Sequence, residues 1–323
     1  MYNNAQILEL FEQSLRQLRT PEEPELLYAP IIYSMSGGGK RLRPVLLLLS
    51  TEAFGGSVDE AMTAAMAVEV FHNFTLLHDD IMDNADMRRG KPSVFAKWGE
   101  NVAILSGDAM LITAYKLLAE LNPTKLPRVM RLFNDMALEV CEGQQYDMDF
   151  ESQAKVSVVE YIQMIERKTS ALLSGSAMIG ATIAGASDAD IKLLYRFATE
   201  LGLAFQLQDD LLDSYGDEAL GKKIGGDILE GKQTYLMVQA MSRATEEQRE
   251  VLRSTHLSDK LSDAEKIATV KALYDKLEVK RATEQQIDQR FERALGILDS
   301  LSIGAERTVH LAEFARNLIG RKK

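Results

Sequence analysis

Two acidic clusters with the same spacing carry the strongest chemical signal in this chain. The first reads DDIMD, the second reads DDLLD, and both lie in apolar sequence of helical period. Their six carboxylates belong to Asp79, Asp80, Asp83, Asp209, Asp210 and Asp213. Residues four apart share a helix face, so the first and last aspartates of each cluster stack, which destabilises a helix by roughly 0.2–0.5 kcal/mol per pair. The pattern predicts metal ions between the clusters. Mg²⁺ suits them because it takes few protein carboxylates and completes its octahedron with water and phosphate oxygens. The alternative is a solvated acidic face.

Short basic groups interrupt this acidic chain. Lys40 and Arg43 follow a run of three glycines. Arg88 and Arg89 follow the first acidic cluster, and Arg321–Lys323 forms a third group. The glycine run is not a nucleotide-binding phosphate loop, because it lacks both the GxxxxGK[ST] spacing and a preceding strand. Arginine offers a planar fork to two phosphate oxygens and lysine offers a point charge, so these groups are candidate anion sites.

Composition excludes several classes of protein. The 323 residues carry 37 Lys and Arg against 48 Asp and Glu, a net charge of −11, which argues against nucleic acid as the main partner. Cys141 is the single cysteine, so no intrachain disulfide forms and a cytoplasmic location is expected. The first residues read as an amphipathic helix rather than a signal peptide. Residues 169–187 are uncharged but rich in small side chains, which favours a closely packed buried helix over a transmembrane segment.

The elements that position these residues are predicted to be helices. Apolar residues recur with a period near 3.6, strand-like alternation is scarce, and all seven prolines fall at or before Pro127. The fold class is therefore predicted as all-α. Glycine-containing breaks are expected at Ser36–Lys40, at Asn84–Trp98 and at Ser214–Lys232.

Six motifs in order give the chain a family resemblance. They are GGKRLRP, DDIMDNADMRRG, GQQYD, KT, FQLQDDLLD and GKKIGGDILEGK. In this order and over nearly the whole chain they resemble the trans-isoprenyl diphosphate synthases of the polyprenyl synthetase family, most closely the short-chain members. The resemblance implies the isoprenoid synthase fold, a large antiparallel helical bundle around a central cavity, as a single domain over residues 1–323.

The resemblance also implies an activity. Such a prenyltransferase condenses isopentenyl diphosphate head-to-tail with an allylic diphosphate after Mg²⁺-assisted ionisation of the allylic C–O bond, and geranylgeranyl diphosphate is the expected product. The alternatives within the family are a farnesyl or a longer-chain polyprenyl diphosphate synthase. A non-catalytic partner subunit is a further alternative, although such subunits tend to lose one acidic motif. A terpene cyclase would not need the GGKRLRP and RRG cations, because it binds no second diphosphate.

Residue roles follow from matching the family motifs. About three Mg²⁺ ions per active site are implied, two on Asp79 and Asp83 and the third on Asp209. The remaining metal-side carboxylates are Asp80, Asp147, Asp210 and Asp213. Isopentenyl diphosphate is assigned to Lys40, Arg43, His72 and Arg89. The allylic diphosphate or its metals are assigned to Arg88, Lys168, Lys223 and Lys232. Gln144 is a substrate-side partner of Asp147, and residues 321–323 resemble a basic tail that folds over isopentenyl diphosphate in some members.

Three residues are expected to aim dipoles at the allylic cation, and another three to set product length. Lys168, Thr169 and Gln206 form the first set by resemblance. Phe74, five residues before Asp79, stands where many family members place the floor of the elongation tunnel, with small Thr75 after it and Phe71 as an added block. An ideal helix puts Phe74 some 140° from Asp79, so its ring reaches a tunnel only if the helix bends or the ring leans across. His78 is expected to be a core residue, and family members are usually homodimers.

Overall fold

The structure, a computed structural model, describes residues 1–153, 155–216 and 224–319. Apart from one short hairpin, these ranges form helices joined by turns. The α-helices are α1 (Asn4–Arg16), α2 (Glu25–Met35), α3 (Leu42–Ala53), α4 (Val58–Met82), α5 (Val94–Trp98), α6 (Glu100–Ala119), α7 (Leu126–Ser152), α8 (Val158–Ile165), α9 (Ala171–Ala184), α10 (Asp188–Tyr215), α11 (Gly226–Glu230), α12 (Tyr235–Arg243), α13 (Glu246–Ser254), α14 (Asp263–Lys276), α15 (Val279–Leu298) and α16 (Ala305–Ile319). The hairpin pairs β1 (Met87–Arg88) with β2 (Lys91–Pro92), a π-helical turn spans Glu166–Ser170, and a 3₁₀ turn spans Thr255–Leu257. The all-α prediction is confirmed.

The chain packs as two compact units. The first comprises Met1–Asp135, Gly175–Tyr195 and Leu301–Phe314, and the second comprises Met136–Ser174, Arg196–Ser300 and Ala315–Lys323. In the first unit α4 packs mainly against α6 and α3, and α2 packs against α6. Leu46, Leu47 and Leu48 of α3 are fully buried there. The prediction of a single domain over residues 1–323 stays a prediction.

Small side chains bring α9 close to α3 within the first unit. Gly180 lies so near the Leu47 carbonyl oxygen that a β-carbon at position 180 would overlap it. Thr51 of α3 donates its hydroxyl to the Gly180 carbonyl oxygen across 3.0 Å. The predicted buried helix within residues 169–187 is thus present. It is interrupted at its start by the π-helical turn.

The predicted breaks fall as expected, with two refinements. The glycine run joins α2 to α3, and the Asn84–Trp98 segment contains the hairpin and the short helix α5. In the third segment α10 continues to Tyr215 and α11 forms from Gly226. Both central residues of the hairpin turn, Arg89 and Gly90, have positive φ (52° and 74°), the pattern of a type I′ turn.

One helix among the described residues, α6, is long and apolar enough to cross a membrane by length and composition. It is a different segment from residues 169–187, the uncharged stretch for which the sequence predicts a buried helix. Because α6 packs against α4 and α2 and contributes buried residues such as Met110 and Leu118, it also fits the ordinary role of a core helix.

The second unit gathers the helices that carry the second acidic motif. There α12 packs against α8 and α15, and α14 packs against α11 and α15. Its core includes the fully buried rings of Tyr235 and Tyr274. The charge-rich helices α13 to α15 begin with side-chain caps in two cases, at Thr245 and Ser262, each part of a capping box.

Candidate active site

The first acidic motif lies at the end of α4 and is held by an arginine of the hairpin. Arg88 donates from Nε to Asp80 Oδ1 across 2.7 Å and from a terminal nitrogen to Asp79 Oδ2 across 3.2 Å. Asp80 is buried, and this burial raises the pKa of its carboxyl although Arg88 opposes the shift. Asp83 follows the last helical residue and is exposed. Asp80 is therefore engaged inside the protein, whereas Asp79 and Asp83 lie nearer to solvent.

A cation-lined cavity of about 360 Å³ lies beside the glycine run in the same unit. Lys40, Arg43, His72 and Arg89 all line it, so the structure brings together the four residues assigned to isopentenyl diphosphate. Arg89 donates to the Gly38 carbonyl oxygen, and its guanidinium lies against Gly39. Burial lowers the pKa of Arg43 to about 10, which leaves it protonated at neutral pH.

Arg43 also fixes the state of the histidine beside it. A terminal nitrogen of Arg43 lies 3.0 Å from His72 Nε2. A guanidinium can only donate, so Nε2 accepts and the imidazole is neutral. Burial, followed by the charges of Arg43 and Arg89, lowers the pKa of His72 well below its ordinary value. The cavity therefore gains its positive charge from Lys and Arg rather than from His72.

Arg41, between two candidate ligands, also lines the cavity, but its guanidinium is buried and bonded to protein groups. It is 5% exposed, bonds Glu69 at 2.6 Å and Glu12 at 2.9 Å, and donates to the Met35 carbonyl oxygen. It thereby ties α1, α2 and α4 to the start of α3. Its φ of 47° is left-handed, so the backbone turns at this residue just before α3 begins.

The second acidic motif shows the same division between buried and accessible carboxylates. Asp210 is 4% exposed, and its oxygens accept from Tyr161 Oη (2.5 Å), the Tyr235 backbone nitrogen (3.0 Å) and Gln206 Nε2 (2.9 Å). Burial raises the pKa of Asp210 to about 6 despite these donors. Asp209 is half-buried. The middle aspartate of each motif is thus bonded to protein groups, which favours a supporting role for Asp80 and Asp210.

The glycine-rich segment after α10 adds a carboxylate beside this motif. Asp213 Oδ2 accepts from the Asp227 backbone nitrogen across 3.2 Å. Burial, and then the charges of Asp213 and Asp210, raise the pKa of Asp227 to about 7. Lys232 is exposed and pairs with Glu230 at 3.0 Å. Asp227 lies in the motif GKKIGGDILEGK, but the sequence gives no sign that it packs beside Asp213.

The residues expected to face the allylic cation come together in the second unit. Lys168 Nζ lies 2.6 Å from Asp147 Oδ2, and Thr169 donates its hydroxyl to Gln206 Oε1 across 2.9 Å. Gln206 in turn donates to Asp210, so Thr169, Gln206 and the second acidic motif form one hydrogen-bonded chain, with Lys168 next to Thr169 in sequence. Gln144 is half-buried, one turn before Asp147 on α7.

An aromatic cluster in the first unit surrounds the expected tunnel floor. The Phe74 ring centroid lies 5.6 Å from that of Phe71 and 4.7 Å from that of His78. Phe71 is 1% exposed and packs edge-on against Phe133. His78 Nε2 lies 3.2 Å from the Ile104 carbonyl oxygen of α6. His78 is half-buried, so the expected core residue is a partly accessible hydrogen-bonding partner of α6.

The carboxylates fit a hard cation better than a soft one. Within the described ranges, no three Asp, Glu, His or Cys side chains converge in an arrangement that could hold a metal ion by themselves. Mg²⁺ does not need such a cage, because it is usually bound through one or two carboxylates together with substrate phosphates and water. Asp83 is exposed, and Asp79, Asp209 and Asp213 are half-buried, whereas Asp80 and Asp210 are buried.

A family model described as polyprenyl synthetase matches residues 24–277. The chain belongs to the polyprenyl synthetase family. It is 43% identical over 235 residues, 72% of each chain, to a geranylgeranyl diphosphate synthase of Methanosarcina mazei. It is 37% identical to a geranylgeranyl pyrophosphate synthase of Geoglobus acetivorans, covering 97% of this chain and 96% of that protein. A crystal structure of a geranylgeranyl pyrophosphate synthase superposes with a TM-score of 0.94 at 43% identity, over the full length of both chains.

Membership defines both fold and reaction class. The chain has the all-α isoprenoid synthase fold, and it is a prenyltransferase of isoprenoid biosynthesis. The family implies isopentenyl diphosphate and an allylic diphosphate as substrates. Lys223 and the Arg321–Lys323 tail lie outside the described residues.

Several polyprenyl synthetase residues with clear structural roles escaped the sequence analysis. They are Glu12, Arg41, Glu69, Tyr161, Asp227 and Tyr235. Arg41 and Asp227 lie inside quoted motifs, so their charge alone was a usable signal. Tyr161 and Glu69 gave no local signal, because their partners lie 49 and 28 positions away and are brought near only by helix packing.

Proposed function

We propose that this prenyltransferase makes geranylgeranyl diphosphate, with Mg²⁺ as its cofactor. The position of Phe74 is the main observation that supports this product length. This single aromatic lies five residues before Asp79, and its ring is held between Phe71 and His78. The next position is Thr75, a small residue whose hydroxyl bonds the His72 carbonyl oxygen. One aromatic without an aromatic neighbour at position 75 fits a twenty-carbon product, and the geranylgeranyl synthases among its relatives support this length.

The allylic diphosphate is assigned to the acidic motifs and their cationic neighbours. Arg88, Lys168 and Lys232 supply positive charge. Lys223 is assigned to the same group because it lies in the family motif GKKIGGDILEGK. As the allylic C–O bond breaks, its electron pair leaves with the diphosphate, and cations that bind this group stabilise the developing negative charge. Such electrostatic stabilisation is usually the largest catalytic contribution. When bound, Mg²⁺ would act as a Lewis acid and as a template for the departing diphosphate. The carboxylates proposed to hold about three ions are Asp79, Asp83, Asp209 and Asp213, with Asp80, Asp147 and Asp210 in support.

The carbocation left by ionisation needs the negative ends of dipoles beside it and no protein group that would attack it in place of the second substrate. The Thr169 hydroxyl and the Gln206 carbonyl are bonded to each other, which fixes both in orientation. Lys168 adjoins them and is held by Asp147. We propose that the Thr169 hydroxyl oxygen, the Gln206 carbonyl and the main-chain carbonyl of Lys168, with Gln144 nearby, stabilise the cation until the double bond of isopentenyl diphosphate attacks it and a proton is lost. The Lys168 ammonium is assigned to the diphosphate instead.

The second substrate is assigned to the cavity beside the glycine run. Lys40, Arg43 and Arg89 offer three positive charges to its diphosphate, and His72 offers a neutral ring. Glu69 is the one carboxylate among the lining residues, and it is paired with Arg41 at 2.6 Å. No aspartate of the two acidic motifs lines the cavity, which supports binding of isopentenyl diphosphate without a metal.

The test is product analysis of the purified chain. Isopentenyl diphosphate and Mg²⁺ are incubated separately with the five-, ten- and fifteen-carbon allylic diphosphates, and the dephosphorylated products are weighed by mass spectrometry. A twenty-carbon alcohol, lost on chelation of Mg²⁺, supports the proposal. Products of fifteen, twenty-five or more carbons overturn the assignment of length alone. No product from any starter would overturn the activity and favour a non-catalytic subunit.

We also propose that the chain is a homodimer in the cytoplasm. Leu105 and Ile112 of α6 are each 59% exposed and lie seven residues apart, on one helix face. Exposed apolar rows of this kind mark protein interfaces, and a second copy is the occupant that the family resemblance supplies. Light scattering after size exclusion should give a dimer mass, and the double change Leu105→Glu with Ile112→Glu should give a monomer. A monomeric wild-type chain would contradict this.

A further inference from the structure

Lys168 and Thr169 lie in a segment with a rare backbone conformation. Residues Glu166–Ser170 form a π-helical turn between α8 and α9, and the Ala171 N–H donates to the Glu166 carbonyl oxygen five residues earlier. A π turn is rare because it gives up regular α-helical packing, and it occurs frequently at functional sites. Contacts within the second unit hold this turn in place.

A glycine of α7 meets the turn on its backbone. At Gly143 an added β-carbon would overlap the Lys168 nitrogen and would stand 2.6 Å from Lys168 Cα and 2.7 Å from the Arg167 carbonyl carbon. These are main-chain atoms, so no side-chain rotation could relieve the overlap. Gly143 is buried, and only a residue without a β-carbon allows α7 to approach so closely.

A glycine of α10 contacts the turn at Ser170. At Gly202 an added β-carbon would stand 2.7 Å from Ser170 Oγ, 2.8 Å from its Cα and 2.9 Å from its Cβ. Gly202 is also buried. The contact is less tight than that of Gly143, because its nearest atom belongs to a side chain.

On each of these helices, the residue four positions after the glycine bonds a side chain of the π-helical turn. Asp147, four residues after Gly143 on α7, bonds the Lys168 ammonium at 2.6 Å. Gln206, four residues after Gly202 on α10, accepts from the Thr169 hydroxyl at 2.9 Å. Residues four apart lie on one helix face. On both helices a glycine fixes the distance to the turn, and a polar residue then fixes a side chain of that turn.

We propose that Gly143 and Gly202 are positioning residues for the reaction, since they set where Lys168 and Thr169 stand. The inference rests on the proposed function, because it assumes that these two side chains face the allylic substrate. A methyl group at position 143 would push the π turn away from α7 and would carry Lys168 and Thr169 with it. A displacement of about 1 Å at reacting groups can cost about a hundred-fold in rate.

The test compares Gly143→Ala, Gly202→Ala and Gly296→Ala. Gly296 is the matched control: it is a helical glycine of α15 in the same unit, and an added β-carbon there would meet nothing within 4 Å. At an open helical position such a change favours the helix, because alanine has the higher helix propensity. We expect kcat to fall about a hundred-fold for Gly143→Ala and less for Gly202→Ala, with the KM for isopentenyl diphosphate unchanged. Gly296→Ala should keep wild-type kcat.

A second readout does not depend on turnover. Hydrogen–deuterium exchange followed by mass spectrometry should show faster exchange in peptides covering residues 166–170 in both positioning variants, and no change there in Gly296→Ala. In a Lys168→Ala background, Gly143→Ala should cost much less than in the wild type, because residues acting through one another are not additive.

The outcomes separate this inference from the proposed function. If the wild type is active and Gly143→Ala retains its kcat and its exchange pattern, the positioning role is wrong. If Gly143→Ala fails to fold, Gly202→Ala carries the same test with its milder overlap. If the wild type makes no prenyl diphosphate, the proposed function fails, while the exchange experiment still decides whether the two glycines hold the turn.

Discussion

Tyr161 donates its phenolic hydrogen to Asp210 Oδ2 across 2.5 Å, and both residues are buried. The bond gives the middle aspartate of the second motif a fixed direction before any substrate arrives. It also joins α8 to α10 and extends the hydrogen-bonded chain that runs from Thr169 through Gln206 to Asp210. Tyr161 itself stays protonated, because burial, followed by the charge of Asp210, raises its pKa well above the ordinary value.

Tyr161→Phe should lower both activity and stability. The change removes one donor from a buried carboxylate, which costs about 1–3 kcal/mol. Tyr235→Phe is the matched control, because Tyr235 donates to Asp210 from its backbone nitrogen and its hydroxyl accepts from Gln239 instead. Urea unfolding and steady-state kinetics on both variants check the expectation. An equal loss of kcat in the two variants would show that the hydrogen bond from the Tyr161 hydroxyl to Asp210 does not contribute specifically to the reaction rate.

Arg41 and Lys40 should respond oppositely to truncation, although they are neighbours. Arg41→Ala leaves Glu69 buried without its cation, and breaking such a pair costs about 3–5 kcal/mol. Lys40 is exposed on the cavity, so Lys40→Ala should change stability by less than about 0.5 kcal/mol. Its effect should instead be a higher KM for isopentenyl diphosphate. Unfolding curves and substrate titrations separate the two, and an unchanged KM in Lys40→Ala would remove it from the substrate site.

His72 should make the folded protein lose stability as the pH falls. Its pKa in the fold lies well below 6.5, chiefly through burial and then through the nearby charges of Arg43, Arg89, Arg88 and Arg41. The unfolded chain takes up a proton below about pH 6.5 and the folded chain does not. The contribution is therefore present above that pH and is lost below it, by up to about 1.4 kcal/mol per pH unit.

The measurement for His72 is a difference between two proteins. The change in unfolding free energy between about pH 7.5 and pH 5.5 is compared for the wild type and His72→Gln, whose amide oxygen can still accept from Arg43. Contributions of the acidic residues are common to both proteins and largely cancel. The wild type should lose more stability over this range, and identical pH dependence would mean that folding does not lower the pKa of His72.

Phe74→Ala should lengthen the product. Removing the ring opens space beside Phe71 and His78, and elongation should continue past twenty carbons. Phe74 is half-buried, so the loss of stability should be below that of a fully buried phenylalanine, about 3–5 kcal/mol. Phe74→Tyr is the conservative control and should keep the wild-type length. A product distribution unchanged in Phe74→Ala would place the floor elsewhere.

Sequence reasoning recovered what is encoded locally. The acidic motifs, the helix breaks and the cations around the glycine run follow from residue type and short spacing. Which aspartate of each motif is buried does not follow from the sequence, because Asp80 and Asp210 differ from the neighbouring aspartates only in the residues that pack against them. Gly143 illustrates the limit: it stands in the quoted motif GQQYD, but its importance depends on Lys168, which is distant in sequence and close only after α7 and the π turn pack together.

The ion pairs of Arg41 have a practical consequence for anyone trimming this protein. The region matching the family begins at residue 24, after α1, yet Glu12 of α1 supplies one of the carboxylates that Arg41 needs, and Ile7 and Phe11 are fully enclosed. At the far end, Gln208 of α10 donates to the Ile319 carbonyl oxygen, well past residue 277. A fragment cut to the family boundaries would expose these contacts and leave Arg41 with one of its two carboxylates, that of Glu69. The segments outside residues 24–277 contact residues inside that range, and an expressed fragment should retain both of them.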